Sequence, residues 1–168
     1  MSERPLYAPW RMDYIRSLDK PTSDKCFLCE AASATSEKEM ADRLVLWSTP
    51  HAVVLINRYP YTNGHLLIAP REHIADLELL GDEVAADFHR QTVRAIKLLK
   101  LAISPQGFNI GINLGRCAGA GLPGHVHQHV VPRWAGDTNF MSVVGEVRVV
   151  PQAMSQLHRE LMPYVAKV

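Results

Sequence analysis

His125-Val-His127-Gln-His129-Val-Val131 sets three imidazoles at alternate positions and runs on into apolar residues. In an extended chain, residues i, i+2 and i+4 share one face. The spacing predicts a strand over 125–134, with His125, His127 and His129 lined up at intervals of roughly 6–7 Å. Three such rings make poor core filler, because each brings ring nitrogens that need partners. Two chemistries use this array, and the spacing leaves both open. Neutral imidazole is a common metal ligand, and His-x-His can bring two donors to one ion. A neutral histidine can also attack phosphorus and carry the group as a phosphoramidate, with neighbouring imidazoles orienting it and handling protons.

Upstream, Leu114–Gly124 carries Gly115, Gly119, Gly121 and Gly124. Glycine lets backbone amides approach a ligand closely, so Gly119–Gly124 is expected to form a concave donor site for phosphate oxygens. Four further apolar runs read as strands: Arg43–Thr49, Ala52–Asn57, Gly64–Ala69 and Phe108–Asn113. The first two flank a turn at Pro50-His51, and the third follows the turn-rich Tyr59–Asn63, as in an antiparallel meander. Val84, Phe88, Ala95, Leu99 and Ala102 recur at helical spacing and predict a helix over Asp82–Ala102, capped by Asp82. Met154, Leu157, Leu161 and Val165 predict a terminal helix within Pro151–Val165. Residues 31–42 read as a loop or short helix, and 1–25 as an irregular aromatic-bearing arm.

The 168 residues suit one domain, and the net charge of +1 gives no whole-chain pull toward nucleic acid or an anionic membrane. No run of eighteen apolar residues predicts a membrane helix, and Met1–Trp10 does not read as a signal peptide. Of the three cysteines, Cys26 and Cys29 form a Cys-x-x-Cys. In a reducing compartment such a pair stays as thiols or serves as a metal clip, and a cytoplasmic address follows. Cys117 reads as a loop residue, and His51, His89 and His158 as surface histidines. Trp134, Asp137 and Asn139 follow the histidine strand, in a surface loop or within reach of a partner's site.

The histidine stretch resembles the signature of the histidine triad family, His-x-His-x-His followed by apolar residues. Val54-Leu-Ile-Asn57-Arg-Tyr-Pro-Tyr-Thr-Asn-Gly-His65-Leu-Leu-Ile-Ala-Pro70 and Phe108–Gly115 are similar to further segments of that family. Tyr7-Ala-Pro-Trp-Arg-Met12 and Pro132–Phe140 resemble its bacterial diadenosine tetraphosphate phosphorylase and hydrolase branch. The resemblance implies an α+β fold with a five-stranded antiparallel sheet, and a homodimer whose sheets join into one larger sheet. It implies a domain over 26–140, preceded by an arm over 1–25 and followed by an extension over 141–168 packed on the same domain. It implies cleavage of dinucleoside polyphosphates through a nucleotidyl-histidine. His127 would be the nucleophile, His129 would contact phosphate and assist the leaving group, and His65 would be a fourth histidine at the site. Asn57 would hold the ribose, and Asn113 with the amides near Gly121 the phosphate. It also implies a structural zinc on Cys26, Cys29, His73 and His125, and no organic cofactor. Many relatives carry a polar side chain where this chain has Ala120-Gly121, which leaves water, phosphate or another phosphorylated molecule as the acceptor. Two other readings are a metal-dependent hydrolase with the three histidines as ligands, and a nucleotide-binding module without turnover.

Overall fold

A computed structural model describes residues 26–137 and 152–168. The arm over 1–25 and Asn139 lie outside the described residues. Five strands form one antiparallel sheet: β1 (Val45–Ser48), β2 (Ala52–Ile56), β3 (Leu66–Pro70), β4 (Gly107–Ile112) and β5 (Gln128–Arg133), in the order β1-β2-β3-β5-β4. The fold is therefore α+β, as expected. The β1–β2 turn falls at Pro50-His51, where the Thr49 hydroxyl accepts the His51 and Ala52 amides (3.2 and 2.9 Å).

Among the described residues, four α-helices accompany the sheet: α1 (Phe27–Ala32), α2 (Glu37–Asp42), α3 (Asp82–Ile103) and α4 (Met154–Val165). Period-2 alternation sorts the strand residues onto two faces. Leu46, Val54, Ile56, Leu66, Ile68 and Val130 form one core with Phe88, Ala95, Leu98 and Leu99 of α3 and Leu157 and Leu161 of α4. Val53, Leu55, Leu67 and Ala69 face the other way, onto Leu28, Ala31 and Ala32 of the short α1. Leu67 pairs with His129, so the α1 face carries the histidine.

Several expectations need correction. Gly81, not Asp82, is the N-cap of α3, and Asp82 is its first helical residue. Residues 31–42, read as a loop or short helix, hold the end of α1, a connecting loop and the short α2, which a capping box between Ser36 and Glu39 opens as expected of a short helix. His158 is 7% exposed, and its Nε2–H donates to the Val45 carbonyl at 2.8 Å; it belongs to the core. His89 is exposed, as expected. Between the turn and β3, Gly64 sits at φ +79°, where a Cβ would come 2.6 Å from Ile103 Cδ1 and 3.1 Å from Pro132 Cγ. Glycine alone accepts both the left-handed backbone and that close approach.

Candidate active site and metal centre

β5 begins at Gln128, so His125 and His127 precede the strand rather than belong to it. The expected single row of three imidazoles is replaced by two sites. His127 and His129 stay together, with ring centroids 5.1 Å apart. The His125 ring meets His73 edge-on, also at 5.1 Å, and joins the two cysteines. Sheet register forces strict alternation only where strands pair, and β3–β5 pairing ends at Ile68–Gln128. The nitrogens of His125, His127 and His129 are directed to different partners, so the geometry opposes one catalytic ion held by all three.

Acceptor-only carbonyls fix the protonation pattern. His127 Nδ1 lies 2.8 Å from the His125 carbonyl. A carbonyl cannot donate, so Nδ1 carries the proton and Nε2 keeps its lone pair. Burial holds the His127 pKa below the ordinary histidine value, more than its backbone hydrogen bond raises it, and favours the neutral ring. A second chain runs through His65, which is fully buried. The Tyr61 amide donates to His65 Nδ1 at 3.0 Å, so His65 Nε2–H donates to His129 Nδ1 at 2.9 Å. His129 is left with a proton on Nε2. Burial, with His127 nearby adding to it, pushes the His129 pKa down to about 4. The site thus offers one imidazole with a free lone pair beside another with a free N–H.

Tyr61 was not legible as a site residue. Its ring lies 4.6 Å from the His65 ring and stacks at 5.7 Å on His129. The only hint is its place four residues before His65, inside a turn. Asn57, just past β2, touches the same network: its Nδ2 is 3.3 Å from His65 Nδ1, while its Oδ1 accepts the Tyr59 amide at 3.0 Å. Asn57 also lines a cleft of about 230 Å³ whose walls include Phe27, Leu44, Leu55 and Ile56, with Glu30 and Arg43 among the polar lining. Leu44 holds a left-handed backbone (φ 60°) at this wall. Apolar walls with a few polar groups are the usual make-up of a small-molecule pocket.

Asn113 directly follows β4, whose last residue Ile112 pairs with Gln128 next to His127. The glycine loop differs from expectation. The Gly119 amide donates to the Arg116 carbonyl (3.0 Å) and the Ala120 amide to that of Gly115 (3.2 Å), so these two are spent within the loop. Gly121 is exposed, whereas Ala120 is buried. Cys117 is exposed. Asp137 is engaged by Arg133, with Nε–Oδ2 at 2.6 Å and a second nitrogen at 2.8 Å, and it caps the end of β5.

Cys26, Cys29, His73 and His125 present four donor atoms, all within 4.8 Å of one another. The Nδ1 of His125 is 3.3 Å from Cys26 Sγ and 3.5 Å from Cys29 Sγ, and His73 Nδ1 is 3.2 Å from Cys29 Sγ. In a tetrahedral zinc site, bonds of about 2.3 Å to sulfur and 2.0–2.1 Å to nitrogen give S–N edges of roughly 3.5 Å. The tautomer also fits, because His125 Nε2–H donates to the Pro70 carbonyl at 2.9 Å and turns the Nδ1 lone pair toward the sulfurs. Burial, with Cys26 alongside, pushes the Cys29 thiol up to about 11. A divalent cation reverses that penalty by deprotonating its thiol ligands. The cluster could therefore hold a metal ion.

This sheet with its histidines is that of the histidine triad family: the HIT domain model matches residues 38–136, and the chain belongs to that family. The chain is 35% identical over 158 residues to the AP-4-A phosphorylase of Mycobacterium tuberculosis (strain H37Rv), spanning 93% of this chain and 81% of that protein. It is 33% identical over 88 residues to the adenosine 5'-monophosphoramidase hnt1 of Schizosaccharomyces pombe, 52% of this chain and 62% of the relative. Among solved structures, a zinc-bound histidine triad family protein from Mycobacterium smegmatis matches with a TM-score of 0.66 and 26% identity, covering 87% of this chain and 96% of that one. Among the described residues, no helix is long and apolar enough to cross a membrane.

Proposed function

We propose that this chain is an enzyme that cleaves dinucleoside polyphosphates such as diadenosine tetraphosphate, with His127 carrying the nucleotide. The observation that supports it most is the 2.8 Å bond from His127 Nδ1–H to the His125 carbonyl, which leaves Nε2 as the reactive atom. Nε2 attacks the α-phosphorus and forms an N–P bond as the P–O bond to the leaving polyphosphate breaks. His129 Nε2–H donates to the departing oxygen, and His65 holds His129 in that tautomer. Water or inorganic phosphate then displaces the nucleotide, returning a proton to His129. In this reading Asn57 meets the ribose at the mouth of the base cleft, and Asn113 with the Gly121 amide meets phosphate oxygens. The similarity to a mycobacterial AP-4-A phosphorylase favours phosphate as acceptor.

The experiment is incubation with diadenosine tetraphosphate, with and without inorganic phosphate, and analysis of the products. ADP plus ATP formed only with phosphate marks a phosphorylase, and AMP plus ATP an asymmetric hydrolase. No product under either condition ends the enzymatic reading and leaves a nucleotide-binding module. His127→Gly is expected to lower turnover on the order of 10³-fold or more while nucleotide binding persists.

We infer further that Cys26, Cys29, His73 and His125 hold a structural zinc; the donor geometry and the tetrahedral edge lengths support this. A homodimer through β4 is the third part of the reading. β4 is an edge strand, its middle residues Asn109, Ile110 and Gly111 are exposed, and an open edge invites pairing with another strand.

A further inference from the structure

The backbone that carries His127 lies outside the paired sheet, and its tethers lead to the cysteine–histidine cluster. Immediately before β5, the Val126 amide donates to the Ile74 carbonyl at 2.7 Å. The His125 ring donates to the Pro70 carbonyl, and the place of a Cβ on Gly124 is 3.4 Å from His73 Nε2. The segments 70–74 and 124–127 are thus laced together, with His73 and His125, two of the four cluster residues, on opposite sides of the lacing.

His125 is engaged at three points. Its Nδ1 faces both sulfurs, its Nε2–H is on Pro70, and its carbonyl accepts the His127 Nδ1–H. The residue is fully buried, so its ring and its carbonyl move as a unit with the surrounding packing. A ligand bond at Nδ1 fixes the ring, the fixed ring holds the peptide, and the peptide oxygen decides which nitrogen of His127 keeps a lone pair.

We propose that His125 is a positioning residue for the reaction at His127, and that a metal ion in the Cys26/Cys29/His73/His125 cluster sets the tautomer and aim of that imidazole through the His125 carbonyl. The proposal rests on the reading of His127 as nucleophile for its kinetic consequence, but not for its structural one. Outer partners of a site commonly change activity 10- to 100-fold when they are disturbed. A cluster that only anchors α1 would leave the His127 ring unaffected as long as the chain stays folded.

The test uses the full chain loaded with zinc, and His73→Ala, which removes the exposed ligand without touching His127. Metal content is measured, folding is checked by far-UV circular dichroism, and ¹⁵N shifts of the His127 ring report its tautomer. In the chelator-stripped variant, the single Nδ1–H pattern of His127 is expected to give way to a mixture. Turnover of diadenosine tetraphosphate should fall at least tenfold in kcat with KM little changed, and saturating zinc should restore both through the three remaining ligands. A folded, metal-free variant that keeps a pure Nδ1–H signal and full kcat overturns the proposal, as does a loss confined to KM. If the stripped chain unfolds, exchange of zinc for cadmium in the wild-type chain decides instead. The larger ion should displace the His127 Nδ1–H resonance, and an unmoved resonance overturns the idea. A chain with no turnover at all defeats the nucleophile reading, while the ring shifts still report on the coupling.

Discussion

A buried imidazole held neutral makes folding sensitive to acid. Burial pushes His129 down to about 4, against an ordinary value near 6.5. Between those two pH values the unfolded chain binds a proton that the folded chain refuses. Its contribution is therefore intact above pH 6.5 and is lost progressively as pH falls toward 4. His127 is shifted in the same direction. The urea midpoint should thus drop from pH 7 to pH 5, and His129→Asn should remove part of that drop, about 1–2 kcal/mol. An identical pH dependence in the variant would refute the burial argument. At this scale the sequence spoke unevenly. The pairing of His127 with His129 was legible from their i, i+2 spacing. The departure of His125 was not, because alternation assumes a strand and the strand starts three residues later. His158 was misread although Met154, His158 and Leu161 stand at helical spacing; a histidine on an apolar stripe with a carbonyl in reach is core, and that carbonyl belongs to distant Val45.

Among the elements, α3 ends on a strained residue. Ser104 caps it with a left-handed backbone (φ 48°), a conformation that glycine enters without steric cost. Its carbonyl accepts the Trp134 indole N–H at 3.2 Å, a bond that any residue there can keep. Ser104→Gly should therefore raise stability by about 0.5–1 kcal/mol, read as a higher thermal midpoint. An unchanged or lower midpoint would mean that unfolded-state entropy outweighs the relieved strain. α1 presents the opposite case. Six residues are too few for a self-sustaining helix, and it is held by Leu28, Ala31 and Ala32 against the sheet and by the cysteines at its start. Chelation should lower the thermal midpoint and let the α1 amides exchange hydrogen before those of β2 and β3. α3 and the strands other than β5 were readable within a residue or two, because their apolar periodicity is local. The faces they bury on, and the capping of α3 by Gly81, depend on neighbours that no local pattern names.

For the molecule as a whole, the two faces of the sheet are covered differently. Among the described residues, one face is packed by the long α3 together with α4 and the other by the short α1, and β4 is an edge strand. Ile110 is 42% exposed on that edge. If two chains join there, Ile110→Lys should turn a dimer into a monomer by sedimentation velocity, whereas a chain already monomeric before the change would rule out the β4 pairing. The two-sided division of the sheet also separates bulk stability from chemistry. The larger core can be repacked far from His127, while the α1 side of the sheet carries His129.

Gly64 gives this arrangement a practical consequence for mutational scanning. It touches no substrate in the proposed reaction, yet a single added methyl group would wedge Ile103 away from Pro132 and force a disfavoured turn directly before His65. A screen that scores only turnover would then flag Gly64 alongside His127 and His129. A companion screen for abundance would tell a misshapen turn from a missing reagent.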